Sequence, residues 1–86
     1  DIVAPANNII SCCNLWRKKY LYVKKSGTSM ATPIITGIIA LMLSYNNNLT
    51  NTECKKILKS SATDMFMDIN RQGAGLVNVC EIFKII

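Results

Sequence analysis

An α/β architecture is predicted for this chain of 86 residues, from three features of its sequence. Short extended runs, each stopped by turn-forming residues, occupy the first third. A run from Ile34 to Leu43 is apolar on nearly every helical face, the pattern of a helix enclosed on all sides. A capped, amphipathic helix follows it. Half of the residues are hydrophobic, enough for one small domain over residues 1–86 and not for a second.

The elements follow in order. Asp1-Ile2-Val3-Ala4-Pro5 reads as a short strand stopped by proline, and Ala6-Asn7-Asn8 as a turn. Asn8 to Cys13 is a second extended piece, followed by a polar, basic loop from Asn14 to Lys19 that contains Trp16. Tyr20-Leu21-Tyr22-Val23-Lys24 alternates and is rich in aromatic and β-branched residues, so it is expected as a strand. Ser26-Gly27-Thr28 turns the chain into the apolar helix, whose body runs from Ile34 to Ser44 and in which Gly37 and Ala40 would let neighbouring backbone approach. Tyr45-Asn46-Asn47-Asn48 ends that helix. Thr50 and Glu53 form a capping box for the next one, with Cys54, Ile57, Leu58 and Ala62 on its apolar face and Lys55, Lys56 and Lys59 outward. Ser61 to Gln72 is expected to be irregular. Gly73-Ala74-Gly75 forces a turn with positive φ, and Asn78 with Glu81 caps a last helix striped by Val79, Ile82, Phe83 and Ile86.

Several function classes are disfavoured by composition. The net charge of +5 comes mainly from Arg17-Lys18-Lys19, Lys24-Lys25 and Lys55-Lys56, and no nucleic-acid-binding motif accompanies these clusters. They are expected as solvated faces, so no nucleic-acid partner is predicted. The adjacent Cys12 and Cys13 lack zinc-site spacing, and the absence of histidine removes any mixed Cys/His centre, so no metal site is predicted. Cys54 and Cys80 fall at apolar helix positions, where cysteine behaves as a small hydrophobe. Gly73-Ala74-Gly75 has Asn78 where a dinucleotide fingerprint needs its third glycine. The apolar run from Ile34 to Leu43 is too short to span a bilayer, so no membrane span is expected.

Gly27-Thr28-Ser29-Met30-Ala31-Thr32-Pro33 is the segment with chemical content. A small-residue turn between a strand and an apolar helix presents a serine hydroxyl beside the free N–H groups at the helix's positive end. An acyl-transfer nucleophile needs that placement. The same residues also suit a helix cap, through Thr28, Ser29 or Thr32 with Pro33 in the first turn, and on local chemistry alone the cap is the commoner use.

The seven-residue string resembles the nucleophile signature of the subtilisin-like serine proteases. Its flanks agree: Asp1-Ile2-Val3-Ala4-Pro5 resembles the strand before the motif, Gly37, Ala40 and Leu41 the helix after it, Leu49-Thr50 and onward to Ala62 the next helix. Gly73-Ala74-Gly75-Leu76-Val77-Asn78 resembles a closing turn and strand. The resemblance implies the C-terminal portion of a three-layer fold with a parallel sheet: a buried nucleophile helix, two further helices and short strands. It implies Ser29 as the nucleophile of a serine endopeptidase acting on peptide or protein substrates. Ser29 N–H and the Thr28 hydroxyl would serve the oxyanion, and Gly27 would let substrate lie close. It also implies that the helix begins near Ser29, although Pro33 disfavours helix at Thr32 and local rules would start it at Pro33. Met30 would pack beside the nucleophile.

The chain has no histidine, and Asp1, Asp64 and Asp68 do not lie where the family's triad aspartate does. The expectation is therefore that an N-terminal part outside these residues supplies the Asp, the His and the oxyanion Asn, and that the 86 residues alone are inactive. The alternative is a catalytically inactive remnant acting as an interaction module. No cofactor is expected in this chain, and calcium is left to the complete domain. The resemblance favours secretion over a cytoplasmic location, and the residues themselves decide neither. Two positions depart from the family pattern: Ala6 replaces a glycine, at about 1 kcal/mol if positive φ is needed there, and Ile34 replaces a histidine that is not the catalytic one. Enclosing the apolar helix is worth on the order of 10 kcal/mol, so the isolated chain, which has little to cover it with, is expected to fold poorly.

Overall fold

The computed structural model describes residues 1–14 and 21–86. The basic Arg17-Lys18-Lys19 loop, Trp16 and the first residue of the strand expected from Tyr20 to Lys24 lie outside the described residues. Two strands and four helices follow in the order β1 (Ile9–Cys12), β2 (Tyr22–Lys25), α1 (Thr28–Tyr45), α2 (Asn51–Ser60), α3 (Ile69–Gln72) and α4 (Val79–Ile85). The architecture is α/β, as expected.

The strands β1 and β2 form an antiparallel hairpin in which Ile9 faces Lys25 and Cys12 faces Tyr22. The parallel pairing implied by the family resemblance is present elsewhere, as a small three-segment ladder centred on Leu76. Val3 pairs with it in parallel and Thr63 antiparallel. Val3 N–H donates to Gly75 O at 2.9 Å and Val77 N–H to Val3 O at 2.9 Å, while Thr63 and Leu76 exchange two bonds of 2.8 Å. The expected N-terminal strand is thus a single bridge within these residues. Gly73 (φ 60°) and Gly75 (φ 124°) make the turn into the ladder. A Cβ on Gly75 would run into the Thr63 carbonyl, so both conformation and space require glycine there.

α2 is built as its sequence dictates. Thr50 Oγ1 accepts from Glu53 N–H at 3.2 Å and Glu53 Oε2 accepts from Thr50 N–H at 3.0 Å, closing the capping box. Cys54 and Leu58 are buried, and Ile57 is half-buried. Lys55 and Lys59 reach Asp1 at 3.1 and 3.8 Å, exposed ion pairs of little energetic weight. The segment expected to be irregular contains one turn of helix, α3, capped by the Asp68 side chain accepting from Asn70 N–H at 3.2 Å. At α4, Asn78 Oδ1 accepts from Glu81 N–H at 3.1 Å, while the Glu81 carboxylate pairs with Lys84 at 3.0 Å rather than completing a box. Cys80 is exposed, against expectation. Ile82 is the α4 residue that turns fully inward, with Phe83 and Ile86 flanking it, and this leaves Cys80 on the outer side.

The core gathers Ile38 and Met42 of α1, Cys54 and Leu58 of α2 and Ile82 of α4. At the end of α1 the exposed Tyr45 sets its ring edge-on to Phe83, centroids 5.8 Å apart. Two features of α1 bear on its surroundings. It is covered on one face only: Leu41 is 56% and Tyr45 67% exposed, because α2, α4 and the N-terminal segment all lie along the Ile38–Met42 side. It is also longer than the apolar run that suggested it. Its 18 residues have a mean hydropathy of 1.4, which is long and apolar enough to cross a membrane by length and composition.

Candidate active site

The start of α1 settles the competition between helix rules and family resemblance. The helix begins at Thr28, with Gly27 at the N-cap and Pro33 inside it. Proline is tolerated there at the cost of one N–H, the one that would have bonded the Ser29 carbonyl four residues back. The Thr32 hydroxyl adds a bond in the same turn, donating to Thr28 O at 3.1 Å. Thr36 repeats this one turn on, donating to Thr32 O at 3.0 Å.

No side chain caps this helix, and no acidic residue stands in its first turn. Of the residues suited to a cap, Thr32 is instead turned to a backbone carbonyl within the helix. Ser29 is the second helical residue and is exposed, as are Gly27 and Thr28. The positive end of α1 therefore opens to solvent with the Ser29 hydroxyl on its first turn. Met30, half-buried, sets its sulfur 3.8 Å from where a Gly27 side chain would begin. Gly27 has φ 144° and ψ 165°, a conformation that side chains rarely adopt.

Two clefts flank this turn. One, of about 490 Å³, lies between the N-terminal segment and α1 and is lined by Ile2, Val3, Ala4, Thr28, Ala31 and Ile35 among others. The second, of about 290 Å³, lies under the hairpin and is lined by Ile9, Ser11, Cys13, Val23, Lys25 and Met30 among others. The neighbours of Ser29 line these clefts, Thr28 the first and Met30 the second, and Ser29 itself lines neither.

The aspartates are engaged structurally. Asp1 meets Lys55 and Lys59. Asp64 Oδ1 accepts from Gln72 Nε2 at 2.7 Å and from Phe66 N–H at 2.8 Å. The Gln72 amide first, and then the Phe66 N–H, hold the Asp64 carboxyl below the usual carboxylate range, against a smaller opposing effect of desolvation. Among the described residues no group of three or more His, Cys, Asp or Glu side chains is gathered as a metal ion would need. Ala6 does not have positive φ, so the alanine there carries no backbone penalty; among the described residues, the non-glycine residues with positive φ are Asn8 and Phe66.

Sequence reasoning overlooked Ser26 and Gln72. Ser26 was expected only as a turn residue, yet its hydroxyl accepts from Asn8 N–H at 2.8 Å and donates to Asn7 Oδ1 at 3.0 Å. Gln72 is buried and bonds both Asp64 and Met65 N–H, the latter at 2.9 Å. A polar residue beside a glycine turn is the only local sign of either role.

Comparison with known proteins gives a consistent result. The family model described as the subtilase family matches residues 1–75. The chain is 37% identical over 78 residues to halolysin of Haloferax mediterranei, covering 91% of this chain and 14% of halolysin. It is 44% identical over 94 residues to the serine protease AprX of Bacillus subtilis, covering 91% of this chain and 20% of AprX. Among solved structures, the patellamide maturation protease PatA superposes with a TM-score of 0.72 at 32% identity, over 98% of this chain and 32% of PatA. The chain therefore spans well under half the length of each of these proteins.

Proposed function

The chain belongs to the subtilase family, and from that premise we propose that it carries the nucleophile segment of a serine endopeptidase. Ser29 attacks the scissile carbonyl. The observation that carries this reading is the start of α1: an uncapped, exposed helix N-terminus with Ser29 on its first turn and no acidic residue nearby in the helix. Developing negative charge on a carbonyl oxygen is stabilised there by the Ser29 N–H, the helix dipole and the Thr28 hydroxyl. Gly27, without a side chain, lets the substrate backbone lie against the turn.

A serine hydroxyl needs a base, and the chain has no histidine. The proposal therefore assigns the His, its orienting Asp and the oxyanion Asn to a part of the domain outside these residues. The 86 residues form one partial peptidase domain that is inactive by itself. That missing part also covers the open face of α1, which makes the helix an interior element of the complete domain rather than a membrane span. Substrates are peptides or proteins. Hydrolysis of an unfolded protein by the complete protein, lost in Ser29→Ala at unchanged thermal stability, is the expected result; retained hydrolysis in that variant would refute it.

A second reading, a remnant that acts only as an interaction module, is favoured by the same absence of histidine. It predicts no Asp and His motifs in frame before Asp1. Their presence would remove it.

A further inference from the structure

We infer that Ser26 is a positioning residue for Ser29, acting through a polar latch between the Asn7-Asn8 turn and the start of α1; the inference rests on the proposed role of Ser29 as nucleophile. Three hydrogen bonds form the latch. Asn8 N–H donates to Ser26 Oγ at 2.8 Å, Ser26 Oγ–H donates to Asn7 Oδ1 at 3.0 Å, and Gly27 N–H donates to Ala6 O at 2.9 Å. They tie residues 6–8 to residues 26–27 across the whole β1–β2 hairpin.

The local backbone is shaped for this. Asn8 adopts φ 52°, which asparagine tolerates better than most residues. Gly27 then carries the constraint forward. Its N–H is held by Ala6 and its carbonyl accepts from Met30 N–H at 3.0 Å, so the Ser26–Gly27 peptide fixes the direction in which α1 leaves the hairpin. Ser29 lies between those two anchors. Because the helix has no side-chain cap of its own, the latch takes over the task of orienting its first turn.

The hydroxyl of Ser26 both accepts and donates, which alanine cannot replace and threonine can. The latch is exposed. Its bonds therefore contribute modestly to stability, while a displacement of the nucleophile by about 1 Å costs on the order of 100-fold in rate. The effect on chemistry should thus exceed the effect on folding.

The test uses the complete protein with Ser26→Ala, Ser26→Thr and Asn7→Ala, and two readouts. The first is amide hydrogen exchange of the peptide spanning residues 26–32, which needs no activity. Ser26→Ala should speed it about tenfold while α2 and α4 are unchanged, and Asn7→Ala should speed it less. Unaltered exchange in both variants overturns the latch. The second is the rate of fluorophosphonate labelling at Ser29 beside kcat and KM on a peptide. Ser26→Ala should lower labelling and kcat about tenfold with KM within twofold of wild type, and Ser26→Thr should restore both. A raised KM at unchanged kcat, or wild-type labelling in Ser26→Ala, overturns the positioning role. Exchange that speeds as expected in Ser26→Ala, together with no labelling of the wild-type protein, would instead refute the nucleophile assignment and the positioning role with it.

Discussion

Gly75→Ala should be the most damaging single-methyl change outside the turn that carries Ser29. Gly75 has φ 124°, outside the range that a residue with a Cβ adopts comfortably, at a cost of about 1–2 kcal/mol. The added methyl would also meet the Thr63 carbonyl. Relieving that clash means moving Thr63 away from Leu76, which breaks the two 2.8 Å bonds they exchange. At about 1 kcal/mol net for each bond, the loss is about 2 kcal/mol more. The total of about 3–4 kcal/mol corresponds to a fall in Tm on the order of 10 °C for a domain larger than about 150 residues. Thermal unfolding of the complete protein, followed by circular dichroism, measures it. A fall of less than about 2 °C would show that the ladder through Val3, Leu76 and Thr63 does not hold the segments together as described.

Two further outcomes follow from the same structure. Gly37 has open space around its missing side chain within these residues, so Gly37→Ala should raise the helicity of the 86-residue chain by removing a helix-weakening glycine, an effect of about 1 kcal/mol. In the complete protein, where the open face of α1 is proposed to be covered, the same change should lower Tm; stabilisation in both settings would contradict the proposed enclosure of α1. Asp64 has its carboxyl pKa held below the usual range in the folded chain, so its contribution is present above its unfolded value and fades as pH falls through the folded one. Denaturant midpoints of Asp64→Asn should therefore fall less steeply than those of wild type below about pH 4, and parallel curves would discount the Gln72–Asp64 bond.

The sequence spoke clearly where a local rule and a tertiary demand coincide. Thr50 and Glu53 announce a capping box and make one. Gly73 and Gly75 announce positive φ and have it. Local rules failed at Pro33, which on propensity alone would begin the helix. The demand that Ser29 stand on the helix's first turn, carried by the motif, placed the start near Ser29, one residue from the Thr28 at which α1 begins. The partial cover of α1 within these residues was expected, but not which face is covered, because an apolar sequence states what a helix needs and not which residues supply it. The latch at Ser26 was invisible for a related reason: its partners, Asn7 and Asn8, are 19 and 18 residues away, and only the pairing of β1 with β2 brings them together.

The central claim is that Ser29 is a nucleophile once the rest of the domain is present. Treating the complete protein with a fluorophosphonate and locating the adduct by mass spectrometry tests it directly. The expected result is a single adduct on the peptide containing Ser29, absent in Ser29→Ala and in protein unfolded before treatment. No adduct in the folded protein, or one that persists in Ser29→Ala, would contradict the account.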